Sequence, residues 1–295
     1  MPEYAVGEPE ALVIDVAPAL SGMFLLSPYT WTEGRQWRLA LRTVPDADRP
    51  EDKVSRVHLG SSDDGVHFAM DAQPFLAPDA DPDADDHDGC EDPTVVQSGE
   101  YAVFYSGWNQ GRDTGHLLWA AGADMDGLTR RGRVLPEPQT YENAKEASLA
   151  QVADGSWRLF FEYAKDGRSL IGAAEAGALE GPWSACPDPF GPRPGQWDDH
   201  HLSPGPILGA GTDTPVLIYN GANEQTHWRI GWAQLDPDCR HVVARSDEPL
   251  VTPPPADGDA TDIAFVASAV EEAEQTYLYY AVSDRSLFRV ALTTP

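Results

Sequence analysis

The chain has 295 residues, 41% of them apolar, only three cysteines, and a formal charge of −28 with a pI near 4.3. Such a charge excludes nucleic acid and anionic membranes as partners, because a polyanion is repelled on approach. The odd number and wide spacing of Cys90, Cys186 and Cys239, with no Cys-x-x-Cys, exclude a disulfide framework or zinc ribbon and leave buried thiols.

Residues 1–22 form a lead-in with one apolar run, 11–16, too short and too acid-flanked for a signal or membrane segment, so the cytoplasm is the expected address. The next element begins a series. Alternating aromatic and aliphatic strands, each entered from a turn, occupy 34–42, 99–107, 155–163, 214–221 and 275–281. Taking Trp37, Tyr101, Trp157, Val216 and Tyr277 as equivalent, the steps are 64, 56, 59 and 61 residues. A second run rich in small residues follows each strand, at 55–62, 115–122, 169–175, 227–234 and 286–292. Strand units repeating at a fixed period bury their apolar faces only against one another. This predicts an all-β, five-bladed β-propeller as one domain over 1–295. The last copy stops early, so the strand at 11–16 is expected to complete the final blade.

Within this frame the stretches entering each strand gather at one end of the axial channel. The first, Leu26-Ser27-Pro28-Tyr29-Thr30-Trp31, offers two aromatic rings, and Arg42 ends the strand after it. Asp63-Asp64-Gly65 reads as a hairpin turn with Gly at positive φ. Residues 78–89 are an acidic loop that lacks the spacing of a calcium loop, so a solvated charged loop and no metal site are expected.

The second entry, Glu91-Asp92-Pro93, puts two carboxylates before a residue that fixes φ and donates no hydrogen bond, at a strand rim. The third, 141–148, carries Lys145 and Glu146. In the fourth, 197–208, strand alternation sends His200 and His201 to opposite faces, and His201 is assigned to the channel. The fifth opens at 259–262 with Asp262, and 283–285 reads as a simple hairpin turn. Carboxylates from different blades among indole and phenol rings describe a sugar site, where one acid protonates the leaving oxygen and another serves water or attacks. No phosphate loop, nucleophile elbow or zinc motif competes, and no cofactor is called for.

Several segments carry a family resemblance: 63–68, Gly89-Cys90-Glu91-Asp92-Pro93, 202–207 running into Tyr219-Asn220-Gly221, and 229–236 followed by 242–253. From about Ser27 to Ala291 the chain resembles glycoside hydrolase family 130, five-bladed propellers acting on β-mannosides as phosphorylases or hydrolases. The resemblance implies that Asp92 is the general acid. From their places at the entries to the strands, Glu146 is the candidate second carboxylate, a base, and Tyr29, Trp31, Arg42, Glu91, Lys145, His201, Asn220 and Asp262 are expected to bind substrate. Thr94 stands where the family usually has Arg, and Asn220 where it usually has His. Two basic groups for phosphate are thereby lost, so hydrolysis of an oligosaccharide or glycoside is expected ahead of phosphorolysis with inorganic phosphate.

Blade three, through Lys145-Glu146, the turn at 154–157 and 179–183, is similar to glycoside hydrolase family 43, arabinosidases and xylosidases in which Glu146 would be the acid. A non-catalytic carbohydrate-binding propeller is the remaining alternative. Of the twenty basic residues only Lys53, Lys145 and Lys165 are lysines. An Asp-rich, Lys-poor surface suits a halophilic host, with GC-rich codon bias the rival cause.

Overall fold

A computed structural model describes residues 4–135, 141–254 and 262–293. The start of the fifth repeat, at 259–261, lies outside the described residues. Three short strands come first: β1 (Ala5–Val6), β2 (Glu10–Ala11) and β3 (Val13–Asp15). Blade one is β4 (Phe24–Glu33), β5 (Gln36–Val44), β6 (Arg56–Ser62) and β7 (His67–Leu76). Blade two is β8 (Gly89–Ser98), β9 (Glu100–Asn109), β10 (Thr114–Gly122) and β11 (Thr129–Arg133). Blade three is β12 (Glu142–Gln151), β13 (Trp157–Lys165), β14 (Arg168–Ala176) and β15 (Ser184–Cys186). Blade four is β16 (His201–Leu208), β17 (Val216–Ala222), β18 (Trp228–Leu235) and β19 (Val242–Arg245). Blade five contributes β20 (Ala264–Glu272), β21 (Gln275–Val282) and β22 (Ser286–Thr293). Five sheets with consecutive antiparallel strands make the five-bladed propeller that the repeat predicts.

The core lies between blades, which is why no blade is a unit on its own. Five clusters of buried side chains each draw on two neighbouring sheets, as when Phe104 and Leu117 of blade two meet Phe161 and Trp157 of blade three. Fully burying one such ring contributes roughly 1.5–3 kcal/mol. The closure is divided. β1 and β2 pair with β22 to complete blade five, whereas β3 runs parallel to β7 as a fifth strand of blade one. The expected strand at 11–16 is thus split: Ala11 joins the last blade and Val13–Asp15 the first. One segment touching both sheets seals the seam between the ends of the chain. Ile14 packs into the core between blades five and one, while Val13 turns outward, 51% exposed.

Blades two and four share a buried staple. Asp86 accepts from Tyr105 Oη at 2.9 Å and from Arg130 Nε at 2.8 Å. Asp198 accepts from Tyr219 Oη at 2.7 Å and pairs with Arg245 at 2.5 Å and Arg193 at 3.0 Å. Each carboxylate ties the loop entering its blade to that blade's strands. The acidic loop at 78–89 is therefore not simply solvated as expected, since Asp85 is also held by Arg133 at 2.7 Å. Trp197 belongs to the same packing. Its indole lies against Gly221 and Gly231, where a Cβ would stand 2.7 and 2.6 Å from ring atoms.

Candidate active site

The innermost strands β4, β8, β12, β16 and β20 all slip register near their middles. In blades one to three the slip sets two residues against one: Ser27-Pro28, Asp92-Pro93 and Glu146-Ala147. The first of each pair is left-handed, with φ of 48°, 48° and 54°. Non-glycine residues held there cost of order 1–3 kcal/mol, and bulges of this kind re-aim a side chain. Here three bulges turn a hydroxyl and two carboxyls toward the axis. Asp92 is therefore not at a strand start, as its proline suggests, but at a bulge inside β8, where a missing donor is harmless. Opposite the residue preceding each of these bulges stand Arg42, Ser106 and Glu162 on the second strands.

These groups form a charged ring. Asp92 Oδ1 accepts from Ser27 Oγ at 2.6 Å and Arg42 Nη1 at 3.1 Å, while Arg42 Nη2 meets Glu91 at 2.6 Å. Glu91 also accepts from Ser55 Oγ at 2.9 Å, and Lys145 Nζ lies 3.4 Å from Glu162. Burial raises the Asp92 carboxyl, but Arg42, Lys145 and the Ser27 hydroxyl outweigh it and hold Asp92 below the ordinary range. Burial, then Asp92 and Glu162, push Glu146 well above its ordinary value, against the pull of Lys145 and Arg42. Glu162 holds Lys145 charged. For Arg42, burial opposes the charge and Asp92, Glu91 and Glu146 overcome it. Two carboxylates this close disfavour ionising together, and the opposite directions of their shifts make Glu146 the partner that keeps its proton more readily.

The ring opens into a cavity of about 250 Å³ lined from all five blades. Its walls include Arg42, Asp92 and Glu146, then His201 and Trp228 of blade four and Asp284 of blade five. His201 Nδ1 accepts from the Ser169 backbone N–H at 3.0 Å and its ring stacks on Trp228 at 5.7 Å. Burial, with His200 beside it, lowers its pKa and keeps it neutral, so its other nitrogen is free to donate. A second lobe of about 530 Å³, shared through Lys145, extends past Glu91 over blades one to three. Behind Asp92 and Glu146 an axial channel of about 120 Å³ continues along Tyr29 and Pro204.

The expected residues thus divide. Arg42, Asp92, Lys145, Glu146 and His201 converge on the smaller cavity, and Glu91 faces the larger one. Tyr29 lines the axial channel behind the pair, its hydroxyl donating to Val95 O at 3.0 Å. Trp31 is not in the site. Four residues along β4 from Ser27, it donates to Glu33 at 2.9 Å and packs between blades one and two. Asn220 is fully buried, with its amide spent on Val266: Nδ2 donates to O at 3.1 Å and Oδ1 accepts from N at 2.7 Å. Asp262 lines none of these three cavities and accepts from Arg229 at 2.9 Å.

Glu162, Asp284, Ser27 and Trp228 were missed. Glu162 had a signal, a lone acid in the buried run Leu159-Phe160-Phe161-Glu162-Tyr163. Asp284 had none, because its turn looks ordinary in sequence. Ser283 and Asp284 are both left-handed, and burial raises the Asp284 carboxyl, with Arg42 opposing and Asp92 adding. Thr94, where a basic residue was looked for, donates instead to Ala147 O at 2.6 Å.

A five-bladed propeller with a carboxyl pair and cations at its axial mouth is built for acid–base chemistry on a polyhydroxylated substrate. No family model matches the chain. Two β-1,2-mannobiose phosphorylases are similar to it. The one from Listeria innocua is 25% identical over 79% of this chain and 65% of its own length, and that from a Thermoanaerobacter species is 27% identical over 85% and 84%. The chain thus spans about two thirds of the Listeria relative. The Listeria phosphorylase in complex with β-1,2-mannobiose superposes at a TM-score of 0.80, with 20% identity over 98% of this chain and 96% of that one. A structure from glycoside hydrolase family 130, mannoside phosphorylases containing hydrolases that target β-1,2 mannosidic linkages in Candida mannan, gives 0.81, with 21% identity over 100% and 96%. The chain is thus similar in sequence to two β-1,2-mannobiose phosphorylases and shares its five-bladed fold with a structure of glycoside hydrolase family 130. The similarity of blade three to family 43 rests on its residues alone.

Proposed function

We propose that the protein hydrolyses β-mannosides, β-1,2-linked ones first among them, with water rather than phosphate as the nucleophile. The observation that carries this reading is the charge balance of the small cavity. Its two lining cations, Arg42 and Lys145, are already paired with Asp92, Glu91 and Glu162, and Glu146 and Asp284 add further acids. A phosphate dianion entering there would meet no unspent cation. The mannobiose relatives supply the sugar and linkage.

Glu146, which holds the pair's proton, is the acid that passes it to the glycosidic oxygen as the bond from that oxygen to the anomeric carbon breaks. Asp92 stays ionised and holds Glu146 protonated until then. Asp284 makes no ion pair among the described residues, and its raised pKa suits a base. It takes a proton from the water whose oxygen bonds to the anomeric carbon.

The test is β-1,2-mannobiose with and without inorganic phosphate. Free mannose in phosphate-free buffer, at a rate phosphate does not increase, is the expected outcome. Mannose 1-phosphate as product would assign a phosphorylase, and binding without turnover a sugar-binding propeller.

A further inference from the structure

The bulge that aims Glu146 is held from outside its own sheet. The slip in β12 leaves Glu146 and Ala147 outside the paired register, between Lys145 opposite Glu162 and Ser148 opposite Phe160. Glu146, left-handed at φ 54°, sits where the ladder that fixes its neighbours is interrupted. Blade two supplies the missing support. The Thr94 hydroxyl donates to Ala147 O at 2.6 Å, and Ser106 Oγ accepts from the Glu146 N–H at 3.4 Å. Two successive residues of the bulge are thus tied to the blade that carries Asp92.

Both tethers start from well-paired backbone. Thr94 is the first residue of β8 back in register after the Asp92-Pro93 bulge, opposite the fully buried Phe104. Ser106 pairs with Glu91 on one side and Leu117 on the other. Thr94 is 7% exposed, and branching at Cβ leaves its hydroxyl few directions. It lines the axial channel behind the pair and not the reaction cavity, so it acts through the carboxyls rather than on the sugar.

We propose that Thr94 is a positioning residue of the reaction: with Ser106, it sets the separation of Asp92 and Glu146 by fastening the bulge of one to the blade of the other. The inference rests on the hydrolase reading above for the reaction it serves. Glu146 faces Asp92 from β8, Arg42 from β5 and Glu162 from β13, with Lys145 on its own strand and His201 and Asp284 across the cavity. Lys145 and Glu162 belong to the same blade as Glu146, so loosening the tether chiefly changes the distance to Asp92. Two like carboxyls released from it move apart, and Asp92 then opposes ionisation of Glu146 less.

The experiment compares wild type, Thr94→Val, Thr94→Ser and Ser106→Ala on β-1,2-mannobiose, with kcat, KM and kcat/KM followed across pH beside each melting temperature. Val keeps the shape of Thr and removes the donor. Thr94→Val should lower kcat by about tenfold or more and change KM by less than about threefold. It should also move the alkaline limb of kcat/KM to lower pH, because Glu146 is active when protonated. Thr94→Ser should restore kcat and return the limb toward wild type. A hydroxyl that only stabilises the fold would lower the melting temperature and leave the limb in place; that result, or wild-type kcat in Thr94→Val, overturns the proposal. Should Thr94→Val fail to fold, Ser106→Ala decides by the same movement of the limb, and its absence overturns the proposal. If the wild type cleaves no mannoside, the hydrolase reading fails by itself, and NMR titration of isotopically labelled glutamate carboxyls decides. Glu146, assigned with Glu146→Gln, then titrates at lower pH in Thr94→Val if Thr94 positions the pair, and an unchanged titration overturns the proposal.

Discussion

Replacing Glu146 by Gln keeps the shape of the side chain and removes the proton that Asp92 and Glu162 hold on it. A positioned general acid contributes about 10²–10⁴-fold to a rate. At about 1.4 kcal/mol per tenfold, that is roughly 3–5 kcal/mol of barrier. kcat on β-1,2-mannobiose should fall by that factor. On a 2,4-dinitrophenyl β-mannoside, whose leaving group needs no proton, most of the rate should survive. Asp92→Asn acts differently. It removes the charge that raises Glu146, so Glu146 gives up its proton at lower pH and the alkaline limb of kcat/KM moves down. Glu146 is active when protonated, so activity present below its raised pKa is lost as pH climbs through it. Asp284 is active when ionised, so activity is lost as pH falls through its own raised value, and the profile is a bell. Stopped-flow or discontinuous assays across pH read both effects. Near-normal rates for Glu146→Gln on mannobiose, with the leaving-group pattern found in Asp92→Asn instead, would refute the placement of the proton.

Three further outcomes are expected. Asn220→Ala strands the Val266 N–H and C=O in the core and should cost about 2–4 kcal/mol in urea unfolding; a change under about 0.5 kcal/mol would show that water replaces the amide. Asp198→Ala leaves Arg193 and Arg245 without their shared carboxylate and should cost about 3–5 kcal/mol by the same measurement. The surface acidity proposed to reflect high-salt conditions predicts a melting temperature that rises between low and molar salt, and a flat response would assign it to codon bias.

The sequence determined the repeat and with it the five blades, because strands with one apolar face and regular turns have no other way to bury that face. It also singled out Asp92, Glu146, Lys145, Arg42 and His201, as ionisable residues beside strands that are otherwise apolar. Trp31 and Asn220 were misplaced because proximity to a motif says nothing about which way a side chain leaves the backbone. A one-residue slip reverses that direction, and the slips lie in φ angles and pairings rather than in composition. Glu162 and Asp284 come from a buried strand and a hairpin of two blades, and nothing local relates them to Asp92. The location of the proton was likewise decided only in three dimensions. Whether a carboxyl ionises depends on the charges within a few ångströms and the water excluded around it, and both are set by blades far apart in the chain.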